Sequence, residues 1–107
     1  MLTGIAEIYP VQKAVISVGA DATAAVVAAT TGKRIYVISY VMLSTAAGTL
    51  TWKSNTTAIS GAFPVAANGG VGASHNPHGN FWTEAGEALN LTTATATAYG
   101  HLTYCLV

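Results

Sequence analysis

Short runs in which apolar and polar residues alternate, separated by clusters of Gly, Asn, Asp, Ser and Thr, dominate the chain and predict strands rather than helices. The first run is Lys13 to Val18, where Ala14, Ile16 and Val18 alternate with Lys13 and Ser17, and Val15 interrupts the alternation. Gly19 to Asp21 reads as a turn. The segment DATAAVVAATTGKR is ambiguous: Asp21 is a possible helix cap and Gly32 a possible terminator, whereas Val26 and Val27 among threonines suit a strand. Residues 22 to 31 stay open between the two, with a strand ending in a TTGK turn preferred.

From Arg34 to Ser44 both alternating sets are apolar. Ile35, Val37, Val41 and Leu43 form one and Tyr36, Ile38, Tyr40 and Met42 the other, which predicts a strand covered on both faces, by a loop or by a neighbouring subunit. After the small residues TAAG, TLTWKS alternates cleanly, with Leu50 and Trp52 inward and Thr49, Thr51 and Lys53 outward. The two runs predict a β-hairpin. Pro64 marks an edge strand or its end, since proline donates nothing to a ladder. GGVGASHNPHGNFW reads as a long loop, Ala88 to Thr92 as a strand, and TAYGHLTYCLV as the last strand. On that last strand Leu102, Tyr104 and Leu106 share one face, and Tyr99, His101, Thr103 and Cys105 the other. Seven to nine short strands at this turn spacing predict an all-β fold: a single antiparallel β-sandwich, jelly-roll-like, over residues 12–107, preceded by an N-terminal arm or edge segment over 1–11.

Charge changes this picture most. The chain of 107 residues has four Lys or Arg and four Asp or Glu, 7% of the total and a net charge of zero, where about a quarter is usual. Lys33 and Arg34 are the only adjacent basic pair, too little to track phosphates, so direct nucleic-acid binding and attraction to an anionic membrane are not expected. Little ionic repulsion keeps such a surface monomeric, and the composition points to an assembly. No apolar run approaches the ~18 residues of a membrane span, and MLTGIAEIYP lacks the features of a signal peptide. A soluble product made inside a cell is the expectation. The lone Cys105 excludes an intramolecular disulfide and reads as a small buried hydrophobe.

Candidate chemistry is thin. His75 and His78, with His101 from the last strand, are the only candidate metal ligands, but Asn76, Pro77, His78 and Gly79 suit the four positions of a β-turn that holds His78 in solvent. No carboxylate stands nearby in sequence to orient them. Glu84 and Glu87 flank Gly86 in an apparent turn rather than facing each other across a cleft. Asp21 is the only aspartate, which leaves no Ser-His-Asp set, and GGVGASHN lacks the lysine of a phosphate loop. Neither a catalytic residue nor a cofactor is expected. Trp52 reads as core. Phe81 and Trp82 are adjacent, so one faces inward and the other a partner or a sugar.

The elements GKRIYVISY, TLTWKS, PVAANGG, NPHG, EAGEALNL and HLTY, in this order across residues 32 to 104, resemble a group of small tailed-bacteriophage capsid decoration, or cement, proteins and related head proteins. The resemblance implies a jelly-roll-like homo-oligomer, a trimer, on the outer surface of an icosahedral head, made in the host cytoplasm and bound to the major capsid protein. In such relatives the position of His78 is often acidic and the residue before Asn76 often aromatic. This chain departs at both, which argues against a shared role for its histidines. Expected subunit or capsid contacts are Tyr36, Tyr40, Met42 and Trp82, with Leu2, Ile5, Ile8 and Tyr9 of the N-terminal segment as an arm. A receptor- or carbohydrate-binding module of a head fibre or tail is the alternative.

Overall fold

A computed structural model describes residues 4–107. After a single helical turn, α1 (Ile5–Ile8), the chain is built from β1 (Gln12–Val18), β2 (Thr23–Val27), β3 (Ile35–Leu43), β4 (Gly48–Ser54), β5 (Thr57–Ala58), β6 (Phe63–Val65), β7 (Gly70–Ala73), β8 (Phe81–Trp82), β9 (Leu89–Ala94) and β10 (Ala98–Leu106). All pairings are antiparallel. One sheet, A, runs β1-β10-β3 with β7 and then β8 along the far side of β3; the other, B, runs β2-β9-β4 with β5 and β6 along the far side of β4.

With β5 and β6 taken as one interrupted strand and β7 and β8 as another, the ten strands occupy eight positions, four in each sheet. That is the strand count and two-sheet arrangement of a jelly roll, and the fold is an all-β sandwich. The ambiguous residues 22 to 31 contain a strand, β2. Ala25, Val26 and Val27 bridge to Asn90 and Leu89 with one extra residue, and a β-branched pair on a half-buried surface suits that role.

Between the sheets lies a core of Ile16, Val18, Ile35, Val37, Tyr40, Met42, Leu50, Trp52, Leu89, Leu91, Ala98 and Leu102. β4 supplies it through strict alternation, Leu50 and Trp52 fully buried and Thr51 and Lys53 partly exposed. The even-numbered positions of β10 face it and the odd ones turn away, as the sequence predicts.

Two expectations are corrected. β3 and β4 do not form a hairpin, because they belong to different sheets. The chain turns the corner between them on buried hydroxyls. Ser44 Oγ donates to the Ala46 carbonyl (2.6 Å) and accepts from the Thr97 N–H (3.0 Å), while Thr97 Oγ1 accepts from the Thr45 N–H (2.9 Å). A small-residue linker reads like a hairpin turn in sequence, yet here its backbone is bonded sideways to the segment entering β10. The GGVGASHN stretch is likewise not loop throughout. Gly70–Ala73 pairs with Tyr40–Leu43, a strand hidden in the sequence by its glycines.

The doubly apolar look of β3 has three causes. Thr103 pairs with Ser39 and Tyr104 with Val37, so Ile38 is a bulge residue without a β10 partner. Through it Ile35 and Val37 on one side of the bulge, and Tyr40 and Met42 on the other, all reach the same core. Ile38 and Cys105 are fully buried but outside that core, beneath the N-terminal segment and the 74–80 loop. Val41 and Leu43 are simply exposed.

Candidate functional site

The segment 74–80 leaves the ladder between β7 and β8 and is clamped to the β3 bulge. The Ile38 carbonyl accepts from the Asn76 N–H (2.9 Å) and from Asn80 Nδ2 (2.8 Å), and the Val37 carbonyl accepts from the Asn80 N–H (2.7 Å). At its tip the Gly79 N–H donates to the Asn76 carbonyl (2.9 Å) and the His78 N–H to Asn76 Oδ1 (3.0 Å), which closes the NPHG turn. Gly79 has φ +90°, open to glycine alone at low cost, and any side chain there would also strike the Tyr36 ring. His75, His78 and His101 are all exposed, and among the described residues no three His, Cys, Asp or Glu side chains come together as a metal site.

The N-terminal segment folds back rather than reaching out. The Ala6 N–H donates to the Pro77 carbonyl (2.9 Å), Gly4 is buried against Pro77, and the Cys105 thiol lies 3.8 Å from the Tyr9 carbonyl. Ile5 and Tyr9 are half-buried in this clasp, while Ile8 is exposed. Leu2, the remaining member of the expected arm, lies outside the described residues. Burial pushes the Cys105 thiol up, away from the reactive thiolate.

Of the expected contact residues on sheet A, two are corrected. Tyr40 and Met42 are buried in the core and offer no surface to a partner, because the bulge at Ile38 turns them inward. Tyr40 packs edge-on against Trp52 and Phe81, and burial raises its phenol, with the Trp52 indole opposing the shift. Trp52 Nε1 itself is buried without a hydrogen bond in good geometry.

Tyr36 and Trp82 are placed on the outer face, paired in register and stacked at 5.1 Å with planes 21° apart. Trp82 is 48% exposed, whereas its neighbour Phe81 packs inward on the core. Beside them Glu84 pairs with Arg34 (3.3 Å) and Glu87 accepts from Ser54 Oγ (2.6 Å). The two carboxylates are thus engaged structurally and separately.

Four of the seven exposed large apolar side chains among the described residues lie on the half of the sheet A outer face that the clasp leaves open. Val15 pairs with His101 and His101 with Val41; in the next row Ser17 pairs with Tyr99 and Tyr99 with Leu43. Val15 is 70% exposed, Leu43 57%, and Val41 and Tyr99 44% each. Leu43 and Tyr99 also wall a shallow dish of about 380 Å³ with Ser44, Thr45 and Asn68. Neither row contains Lys, Arg, Asp or Glu, and Lys13 stands one row away. Sequence reasoning did not single out these four as contacts, although Val15 breaking its alternation and the apolar residues on both alternating sets of β3 carried the signal. Comparison of the chain with protein-family models, with curated proteins and with solved structures finds no match to any of them.

Proposed function

We propose that this chain is a structural virion protein, a decoration or cement protein that binds the major capsid protein on the outer surface of a bacteriophage head and bridges its subunits. The observation that carries the proposal is the open outer face of sheet A, where Val15, Val41, Leu43 and Tyr99 form an exposed apolar surface without a charge among them. Soluble monomers seldom leave such clusters uncovered unless they are contact surfaces. The reading is of a mechanical, non-catalytic protein, made in the host cytoplasm and acting in many copies, as the trimer that the sequence resemblance implies.

Stabilisation would come from area. Each apolar Å² removed from water contributes about 25 cal/mol, and contacts of modest size repeated around a symmetric shell reinforce one another through avidity. Low charge suits that role, since few ions need be stripped of water on docking. The test is co-sedimentation of the purified protein with heads that lack it, and with heads after Leu43→Lys. Saturable binding lost on substitution supports the proposal; no binding to any head refutes it.

A second reading, a receptor- or carbohydrate-binding module, is favoured by one feature: the stacked Tyr36–Trp82 pair presents a flat, half-exposed aromatic platform of the kind on which sugar rings stack. Glycan-array binding abolished by Trp82→Ala would establish it in place of the first.

A further inference from the structure

We propose that residues 4–10 form a strap that opens on its own, swinging away about Pro10 and Val11 while the sandwich stays folded, and that opening bares Ile38 and the Cys105 thiol on the outer face of sheet A. Its attachment is slight. α1 is a single turn of four residues, none of them fully buried, and its N-cap Gly4 brings no side-chain bond. Two N–H bonds close within the segment itself, Glu7 to the Gly4 carbonyl (3.0 Å) and Tyr9 to the Ile5 carbonyl (2.9 Å). Among the described residues only the Ala6 N–H of the strap's backbone crosses to the sandwich, at the Pro77 carbonyl, and the Cys105 thiol is a weak donor to Tyr9. A helical turn this short has no stability of its own, so once undocked it melts.

Proline sets the hinge. Pro10 disfavours the helical conformation at Tyr9, which is extended at φ −106° and ψ 147°, and both Pro10 and Val11 are exposed. Beyond them the ladder begins independently of the strap. Gln12 pairs with Tyr104, whose hydroxyl donates to Gln12 Oε1 (3.2 Å), and β1 stays in register from there to Val18 opposite Ala98. The change from one bond to a continuous ladder falls between Tyr9 and Gln12, which is where a locally opening unit ends.

What lies underneath gives opening its consequence. Ile38 and Cys105 are fully buried yet lie outside the core between the sheets, covered by the strap and by the 74–80 loop. The loop is the firmer cover: three bonds tie Asn76 and Asn80 to the Ile38 and Val37 carbonyls, against the strap's one. It therefore stays when the strap leaves. Opening extends the bare apolar surface of β3 and β10 from Val41, Leu43 and Tyr99, past the bonded Ser39–Thr103 pair, to Ile38 and Cys105. The strap thus governs how much of this outer face meets solvent. The inference does not rest on the decoration proposal, since it needs only the chain itself.

The experiment is labelling of Cys105, the only cysteine, in the full chain with a thiol-specific aromatic disulfide reagent at fixed pH, across urea concentrations below the unfolding transition. Strap opening exposes little surface, so the rate should rise less than about twofold per molar urea, whereas labelling that waits for global unfolding rises roughly sixfold per molar in a domain of this size. Gly4→Ala places a Cβ 2.7 Å from Pro77 Cβ and 2.9 Å from its carbonyl oxygen, which pushes the strap off. It should speed labelling at least about tenfold with the thermal melt of the sandwich unchanged. Amide exchange followed by NMR locates the opening: the Ala6 N–H should be less protected than those of Asn76, Asn80 and Val107. Labelling with the urea dependence of global unfolding, a Gly4→Ala rate equal to wild type, or Asn80 or Val107 protected no better than Ala6 overturns the inference. Strap opening in a chain that binds no phage head would refute the decoration proposal and leave this one standing.

Discussion

Removing the Ser44 hydroxyl should loosen the corner where the chain passes from sheet A to sheet B. Ser44 is buried, and its Oγ is the acceptor for the Thr97 N–H, itself buried, and at longer range for the Ala46 N–H (3.2 Å). Ser44→Ala changes side-chain volume little, so the cost comes from hydrogen bonding and not from a cavity. An N–H left buried without an acceptor costs about 1–3 kcal/mol, while the Ala46 groups sit close enough to the surface to recover water. A total near 2 kcal/mol follows, which in a domain of this size lowers Tm by roughly 10 °C. Differential scanning calorimetry checks it, with Thr57→Ala on the exposed strand β5 as a control expected within about 0.5 kcal/mol of wild type. A Ser44→Ala melt within about 2 °C of wild type would refute the claim that this hydroxyl holds the corner.

Gly100 pairs with Met42 so closely that a Cβ there would collide with the Val41 carbonyl; Gly100→Ala should cost at least about 2 kcal/mol by urea denaturation, whereas Gly19→Ala, with open space around it, should be near neutral. Trp52→Ala should cost about 3–5 kcal/mol as a fully buried residue, and Trp82→Ala only about 1 kcal/mol for its exposed stack on Tyr36; equal losses would contradict the placement of the two indoles. Burial raises both the Cys105 thiol and the Tyr40 phenol. On alkalinisation the unfolded chain therefore releases these protons first. Their stabilising contribution is full below about pH 8.5, the ordinary thiol value, and is lost as pH climbs through the raised folded values. Urea midpoints should fall between pH 8 and 10, less steeply in Cys105→Ala, and parallel pH profiles for the two proteins would contradict this.

Alternation was a sufficient guide wherever one face of a strand meets the core and the other meets water, as on β4 with Leu50 and Trp52 and on β10 with Leu102 and Leu106. It failed where one residue changed the phase. Ile38 enters β3 as a bulge, so Tyr40 and Met42 turn inward although period-two reading sets them opposite Ile35 and Val37. Nothing local in the sequence marks Ile38 as unpaired, since the bulge is held by Asn76 and Asn80, some forty residues on. The supposed hairpin failed for a related reason: strand neighbours in sequence need not be neighbours in a sheet, and the deciding partner of Ser44 is Thr97. The turn at Asn76–Gly79 was legible because Asn, Pro and Gly each have a local reason for their position. The open apolar face was only half legible. Its members were visible as pattern breaks, but their grouping depends on the register of β1, β10 and β3.

The most direct measurement of the decoration proposal is cryo-electron microscopy of virions of the bacteriophage that, on that proposal, encodes this chain, at a resolution that traces β-strands. The decoration proposal predicts density for this sandwich in many symmetry-related copies on the outside of the head, with Val15, Val41, Leu43 and Tyr99 of sheet A buried in contacts with capsid protein or neighbouring copies. Density confined to the tail or a fibre, absence from the particle, or a head-bound sandwich with that face open to solvent would contradict it.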